Sequence, residues 1–312
     1  GVESTLRSNF VRYQKKFLRF GAFYWHLGLP IKYILQNHEI IVLNGNLRIV
    51  NYMLLLFLSR MLGKQVIWWG HLNSAGKQGF ASGIRKQIMR FASKRLFYTD
   101  YELTSYPHPK NCYSINNGVP SIGFDAKQFP DKFSYNRPLR ILFIGRLTVK
   151  SRINFALTAL SRCTVPFELH IIGDGPAFSS CTDFMSDPRF IWYNKIINDH
   201  DISKIASECD VFIYPGAVGL SLIKSFVLGL PAIIHSNRLN HMPEFAAAQN
   251  QHNSIFFEEG NSNDLLNKIE MYYALCSTQR RKLSLAARST VQNDYNTDSM
   301  VERMLVCIRS KQ

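Results

Sequence analysis

The chain has 312 residues, 46% of them hydrophobic and 19% charged, which is typical of a folded globular protein and argues against disorder. This length exceeds that of a usual single core and predicts about two domains. The six cysteines form no CxxC pair and have no histidines at metal-ligand spacing, so the pattern favours reduced thiols over disulfides or a zinc site. The first residues do not read as a signal peptide, and we expect a cytoplasmic protein.

The formal net charge of +15 is distributed unevenly. Residues 1–137 contain 19 Lys and Arg against 6 Asp and Glu, while the remainder contains 18 against 16. Basic clusters at 12–19 and 85–95 are interleaved with aromatic residues, which are Phe10, Tyr13, Phe17, Phe20 and Phe91. This pattern fits an anionic membrane surface or a nucleic acid, although ordinary solvated cationic faces would have the same composition.

Short apolar runs alternate with helical patterns in the first part of the chain, which predicts a parallel sheet. The predicted strands are 39–44, 65–69, 96–98 and 112–115. The most apolar run, 53–58, lies between Arg48 and Arg60 and is too short to span a bilayer. We predict that it is a core helix, with a membrane-inserting face as the alternative.

The segment 129–138 is polar, contains two prolines and precedes a new apolar run, so it is predicted to be an interdomain linker. Strands are predicted at 139–144, 168–172, 190–193 and 210–214, and helices at 153–162, 201–208, 220–228 and 300–309. These elements give a first domain at 1–137, a second at 138–290, and a terminal segment, 291–312, whose helix returns to the first domain.

Residues 210–234 contain the most informative local pattern. An apolar strand stops at Pro215 and Gly216, a tight turn runs to Gly219, and a helix begins at Leu220. Free amides at a helix N-terminus attract phosphate groups. Because ligands of parallel sheets bind at the carboxyl ends of the strands, the strand ends at 145–146 and 173–175 are expected to converge on the same cleft as this turn.

Three motifs occur in a fixed order, ILFIGRL at 141–147, LHIIGDGP at 169–176 and the glycine-flanked helix at 219–231. Together they resemble the GT-B fold glycosyltransferases of family 4, and the resemblance covers roughly residues 20–305. The PG-x-VGL loop and the segment 235–245 are similar to a bacterial subgroup that makes surface polysaccharides. The resemblance implies an α/β GT-B fold, with two Rossmann-like parallel-sheet domains facing a central cleft. No counterpart of the family's first β-α unit is found before about Phe20.

The resemblance also implies a donor site for a nucleotide diphosphate sugar. Arg146 and Lys150 would hold the diphosphate together with the amides of Gly219 and Leu220, although Lys150 lies one position before the family's lysine. His71, after a predicted strand, would face the donor sugar as a neutral imidazole. The other implied donor-binding residues are Gly145, Gly173, Asp174, Gly175, Gly216, Lys224 and Glu244. No metal site and no cofactor are expected, the nucleotide sugar being a co-substrate.

The chain departs from the family at its paired glutamates, E-x7-E, because Gly216 and Lys224 occupy those positions. A lysine cannot accept a hydrogen bond, so recognition of the ribose by a carboxylate is lost there. Either Glu244 supplies a missing carboxylate, or the protein no longer transfers a sugar.

The leading hypothesis is a retaining, metal-independent glycosyltransferase that moves a sugar from a nucleotide diphosphate sugar to a glycan or lipid-linked glycan acceptor in bacterial surface polysaccharide synthesis. The resemblance favours a peripheral position on the inner face of the cytoplasmic membrane. The alternatives are a non-catalytic GT-B scaffold or interaction subunit and a nucleic-acid-binding protein, for which no zinc-finger, KH or RRM signature is present.

Overall fold

The computed structural model describes residues 16–72, 80–120 and 137–310. Most of the predicted linker, 129–136, and the start of the first basic cluster, 12–15, lie outside the described residues.

The first half begins with an antiparallel hairpin and continues as a parallel sheet. The hairpin consists of β1 (Lys16–Phe20) and β2 (Phe23–Leu27), and the sheet has the order β3-β4-β5-β6. Its strands are β3 (Ile40–Asn44), β4 (Gln65–Trp69), β5 (Lys94–Phe97) and β6 (Cys112–Ser114), and the helices of this half are α1 (Ile31–Asn37), α2 (Val50–Met61), α3 (Phe80–Ile88) and α4 (Asp100–Thr104). All four predicted strands are confirmed. Three consecutive residues of β4, Val66 to Trp68, are buried because both faces of the strand are covered.

The second half is a six-stranded parallel sheet of order β12-β11-β10-β7-β8-β9. Its strands are β7 (Leu139–Ile144), β8 (Phe167–Ile172), β9 (Phe190–Trp192), β10 (Val211–Tyr214), β11 (Ala232–His235) and β12 (Ser254–Phe257), and its helices are α5 (Ile153–Leu160), α6 (Asp199–Ser207), α7 (Leu220–Val227), α8 (Ser262–Ala274) and α9 (Ser277–Asn293). The predicted strands and helices of this half are present within a few residues. The strand order reverses between β7 and β10, and ligands of such sheets bind at this switch point.

The last helix, α10 (Thr297–Arg309), packs against the first sheet although it follows the second in sequence. Cys307 is buried together with Ile67, Leu96 and Ile115. The side chain of Lys94 is fully buried, and its Nζ donates to the carbonyl oxygens of Cys307 at 2.7 Å and of Ser310 at 2.5 Å. The helix therefore contacts the first half of the molecule, and the domain boundaries stay predictions.

Helix α2 has one buried face and one exposed face. Leu55 and Leu56 are buried in the core of the first half, as the sequence predicts for a core helix. The other face carries an exposed apolar stripe at helical spacing, formed by Val50, Leu54, Phe57 and Met61. In the described ranges, no helix combines the length and the apolar character needed to cross a membrane.

We predict that Lys94→Met lowers the free energy of unfolding by about 1 to 3 kcal/mol, because carbonyl groups at the end of α10 lose their buried donor. Urea denaturation measures this change. Lys32→Met, at an exposed position of α1, is the matched control and should change stability by less than about 0.5 kcal/mol. Equal stability of both variants would show that the hydrogen bonds of Lys94 do not stabilise the packing of α10.

Candidate functional site

The turn between β10 and α7 has a backbone that is held on both sides. The amide of Ala217 donates to the carbonyl oxygen of Lys150 at 2.9 Å, and the amide of Val218 donates to Nδ1 of His241 at 3.1 Å. Among the hydrogen bonds of the described residues, none uses the amides of Gly219 or Leu220. These two amides lie at the N-terminus of α7 and are available to a phosphate group.

His241 holds this turn in place, and no sequence motif singles it out. Nδ1 of its ring accepts from Val218, so Nε2 carries the proton and donates to the carbonyl oxygen of His235 at 2.8 Å. Burial and then the neighbouring His235 lower the pKa of His241 to about 3. The ring is therefore neutral at physiological pH and keeps this tautomer.

Gly216 has no room for a side chain. A Cβ atom there would lie 2.7 Å from the carbonyl carbon of Ser151 and closer still to the carbonyl oxygen of Lys150. A glutamate at this position would therefore require the backbone of residues 150–151 to move. The close packing of this turn therefore explains why a glycine stands in place of the first glutamate of the E-x7-E pair.

The lysine register also has a structural explanation. Ser151 stands where the family has its lysine, but its side chain is buried in a capping box with Thr148 at the start of a short 3-10 helix, Val149–Ser151. Lys150 is exposed beside the Gly216 turn, as the candidate phosphate ligand must be. Arg146 is exposed just after β7, and within the described part of the chain neither cation makes an ion pair.

The glycines at the ends of β7 and β8 bring the backbone segments together. A Cβ on Gly145 would lie 2.8 Å from Cε2 of Tyr214 at the end of β10, and a Cβ on Gly173 would meet the backbone of Gly145. The carbonyl of the exposed Asp174 accepts from the amide of Leu147 at 2.9 Å. These contacts, together with the adjoining Gly175, shape the strand ends that carry Arg146.

Lys224 occupies the position of the second family glutamate and is paired with a carboxylate. Its Nζ lies 2.6 Å from Oδ1 of Asp199, the first residue of α6. A carboxylate is therefore present near this position, but a different helix contributes it. No sequence motif singles out Asp199, because the contact joins residues that are 25 positions apart.

Glu244 lies between the two halves of the molecule. Its side chain is in a short 3-10 helix, Pro243–Ala247, is 5% exposed, and accepts a hydrogen bond from Nδ2 of Asn117 at 2.7 Å. Its other oxygen would lie 3.5 Å from a Cβ on Gly219. Glu244 therefore reaches the floor of the donor turn and contacts the first half at the same time.

His71 lies on the first-half side, directly after β4. Its ring stacks on Tyr98 with a centroid separation of 4.3 Å, and its Nδ1 is 3.9 Å from Oε1 of Glu102. Glu102 is buried and accepts from the amides of Leu72 at 2.9 Å and Tyr98 at 3.1 Å. This carboxylate, at the start of α4, holds the ends of β4 and β5 together.

Burial determines the charges in this cluster. It lowers the pKa of His71 to about 4, with a further lowering by Arg85, and it raises the pKa of Glu102 to about 7 against the opposing backbone hydrogen bonds. The charge of Glu244 also raises the pKa of Glu102, which shows that the cluster is close to the donor-side carboxylate. Nε and Nη1 of Arg85 are buried without a hydrogen-bond partner among the residues described.

Sequence reasoning placed Arg85 only in a basic cluster and did not single out Glu102. The structure brings both to His71. It places the predicted donor-binding residues along the strand ends and turn of the second half, and Glu244 makes the direct link to the first half. The roles assigned to these residues stay predictions.

Known proteins share this fold and part of this sequence. Residues 138–274 match the family model described as glycosyl transferases group 1. HepE from Anabaena, solved with UDP, is 14% identical with a TM-score of 0.68, and the match covers 90% of this chain and 81% of HepE. A glycosyltransferase from Rickettsia africae is 16% identical with a TM-score of 0.70, covering 91% and 80%. The lipopolysaccharide outer core galactosyltransferase WaaB is 15% identical with a TM-score of 0.67, covering 90% and 78%. No curated protein sequence matches the chain.

The two parallel sheets and the cleft-lining turn define the GT-B fold, as these structural neighbours have it. The family match adds that residues 138–274, in the second half, resemble the domain described as glycosyl transferases group 1.

We predict opposite effects of pH for two substitutions in the His71 cluster. The folded-state pKa of Glu102 is about 7 and lies above the ordinary 4.5, so between these values the native state holds the extra proton and stability falls as pH rises. The unfolding free energy of Glu102→Gln, relative to the parent protein, should therefore increase by about 1 kcal/mol per pH unit between about pH 4.5 and 7.

His71 has the reverse sign, because its folded-state pKa of about 4 lies below the ordinary 6.5. Protons bind first to the unfolded state, and His71→Gln should lose stability relative to the parent as pH rises from about 4 to 6.5. Denaturant unfolding at several pH values measures both differences. Parallel pH profiles for the parent and both variants would contradict the charge states assigned here.

Proposed function

We propose that this protein is a retaining, metal-independent glycosyltransferase that transfers a sugar from a nucleotide diphosphate sugar to a glycan or lipid-linked glycan acceptor. The observation that carries this proposal is the pairing of two unused amides, at Gly219 and Leu220, with two cations, Arg146 and Lys150, that have no ion-pair partner in the described ranges. Charge develops on the diphosphate as the sugar bond breaks, and fixed positive groups stabilise it.

In this proposal, the first half of the molecule contacts the donor sugar through His71. His71 is neutral at physiological pH and is able to donate one hydrogen bond and accept another without adding charge beside the sugar. Glu102 and the stacked ring of Tyr98 hold it in place. In the retaining mechanism that the resemblance implies, an acceptor hydroxyl attacks on the face of the departing diphosphate, which takes up the proton.

The neighbours suggest which donor to test first and which acceptor class to search. HepE was solved with UDP and with UDP-glucose, and WaaB is an outer core galactosyltransferase. We therefore propose a UDP-sugar donor and a role in bacterial surface polysaccharide synthesis. Glu244 stays our candidate for a carboxylate at the cleft, since one of its oxygens would lie 3.5 Å from a Cβ on Gly219 of the donor turn.

We predict that Arg146→Ala weakens UDP binding by about 1.5 to 3 kcal/mol, or roughly 10- to 150-fold, because one charge-assisted contact to the diphosphate is lost. Isothermal calorimetry measures the affinity. Arg162→Ala is the matched control. Arg162 lies between the end of α5 and the start of β8, away from the carboxyl ends of the strands, and donates to Ser262. Unchanged affinity of Arg146→Ala would remove this residue from the site. A folded parent protein that binds neither UDP, GDP nor their sugar conjugates would support the non-catalytic alternative.

We also propose that the first half docks on an anionic membrane. The exposed stripe on α2 is extended by Phe91, whose ring lies 5.0 Å from that of Phe57. The hairpin adds exposed aromatic residues, including Phe20 and Phe23, beside Lys16 and Arg19. Apolar side chains bordered by cations suit an interface with acidic lipid headgroups, and residues 1–137 carry nearly all of the net positive charge.

We predict that the double substitution Phe57→Glu and Met61→Glu lowers binding to phosphatidylglycerol-containing vesicles by at least about tenfold, since it places carboxylates in the apolar stripe. Vesicle sedimentation measures the effect, with phosphatidylcholine vesicles as the uncharged reference. Leu285→Glu, at an exposed position of α9, is the matched control. The membrane proposal is wrong if the parent protein does not bind the vesicles. If it instead forms dimers that the double substitution dissociates, this face binds a second copy of the chain.

A further inference from the structure

A cavity of about 200 Å³ lies beside the donor turn, at the carboxyl ends of β11 and β12. Its volume is below the roughly 300 Å³ at which sites for drug-sized ligands begin, so it suits a single small ring. The polar residues and the glycine that line it are Lys150, Arg152, Gly216, His235, Asn240 and Glu259. Arg152, Asn240 and Glu259 are not singled out by the sequence motifs.

Glu259 is a preorganised carboxylate in the wall of this cavity. Asn240 donates to both of its oxygens, at 2.9 and 2.7 Å, and Asn237 donates at 2.6 Å. Nη2 of Arg152 lies 3.2 Å from Oε1. Burial acts to raise the pKa of Glu259, but the hydrogen bonds from Asn240 and Asn237 outweigh it and the pKa is lowered. The group is therefore ionised and only 17% exposed.

His235 contributes a neutral group to the same cavity. The residue is 1% exposed, and its Nδ1 is buried without a hydrogen-bond partner among the described residues. Its ring stacks on His241 with a centroid separation of 3.7 Å. Burial lowers the pKa of His235, so the imidazole offers a hydrogen bond and no charge.

The cavity adjoins the proposed phosphate site. Gly216 and Ala217 of the donor turn form part of its wall, and Lys150 lies in both places. Met242 also lines it and lies 3.1 Å from the position of a Cβ on Gly219. A group attached to a phosphate at the Gly219 amides would thus lie close to the cavity.

The chemistry of the wall favours hydroxyl groups over an anion. Arg152 is balanced by Glu259, and an ionised carboxylate in the wall disfavours a second negative charge. Hydroxyl groups both donate and accept, and a carboxylate, an amide and a neutral imidazole are suitable partners for them. We propose that this cavity binds the sugar ring of the donor, with Glu259 as the carboxylate that selects its hydroxyl groups. This inference rests on the proposed function.

The test compares the affinity of the nucleotide with that of its sugar conjugates. Calorimetry is done with UDP, UDP-glucose, UDP-galactose and UDP-N-acetylglucosamine, and with GDP and GDP-mannose if the parent protein prefers guanine. For Glu259→Gln we expect the best conjugate to bind about tenfold more weakly, the effect of one hydrogen bond to a charged group, while the affinity for the free diphosphate changes less than about twofold. The matched control is Glu258→Gln, whose carboxylate bonds to Asn261 and does not line the cavity.

A second variant tests the same cavity without changing its charge. Ala217→Leu places a larger apolar side chain in the wall and should also weaken only the conjugate. If Glu259→Gln and Ala217→Leu are folded and bind the conjugate as the parent does, or lose the free diphosphate to the same extent, the sugar-cavity assignment is wrong while the donor function stands. If the folded parent binds no nucleotide, both proposals are overturned.

Discussion

The contact between the donor turn and residues 150–151 is the constraint on which the site depends. The hydrogen bond from the amide of Ala217 to the carbonyl of Lys150 presses Gly216 against that backbone. Because no side chain fits there, the turn cannot carry the family's first glutamate. The same packing buries Ser151, leaves Lys150 exposed, and forms one wall of the cavity that contains Glu259. Two departures from the family pattern, the glycine at position 216 and the register of Lys150, are therefore linked by one piece of backbone packing.

The site separates permanent charge from neutral hydrogen-bonding groups. His71, His235 and His241 all have pKa values lowered by burial, so they are neutral at physiological pH. The positive charge near the turn comes from the side chains of Arg146 and Lys150. In the function we propose, a diphosphate would thus meet fixed cations, while the attached sugar would meet neutral imidazole groups and the ion-paired Glu259.

Polar contacts between distant residues join the two halves. Asn117 donates to Glu244, and the guanidinium of Arg238 lies 3.8 Å from the centroid of the Tyr101 ring. Arg303, on α10, pairs with Asp100 of the first half at 2.9 Å and with Asp294 at 2.5 Å. These contacts help to hold His71, on one side of the cleft, in position relative to Gly219 on the other side. A substitution far from the reacting groups is therefore able to change the alignment of the site.

The sequence by itself determined the alternating strands and helices, because buried parallel strands require continuous apolar runs and a glycine turn before a helix has a recognisable pattern. It also singled out Arg146, Lys150 and the Gly219 turn as candidates, since those residues are close together along the chain or lie at strand ends. Only the tertiary structure decided that Glu102 and Arg85 surround His71 and that Glu259 faces the cavity, because burial and pairing depend on elements that are distant in sequence. The same reason explains α2: its apolar run is consistent with either a core or a surface helix, and only the packing shows that one face is covered and the other is exposed.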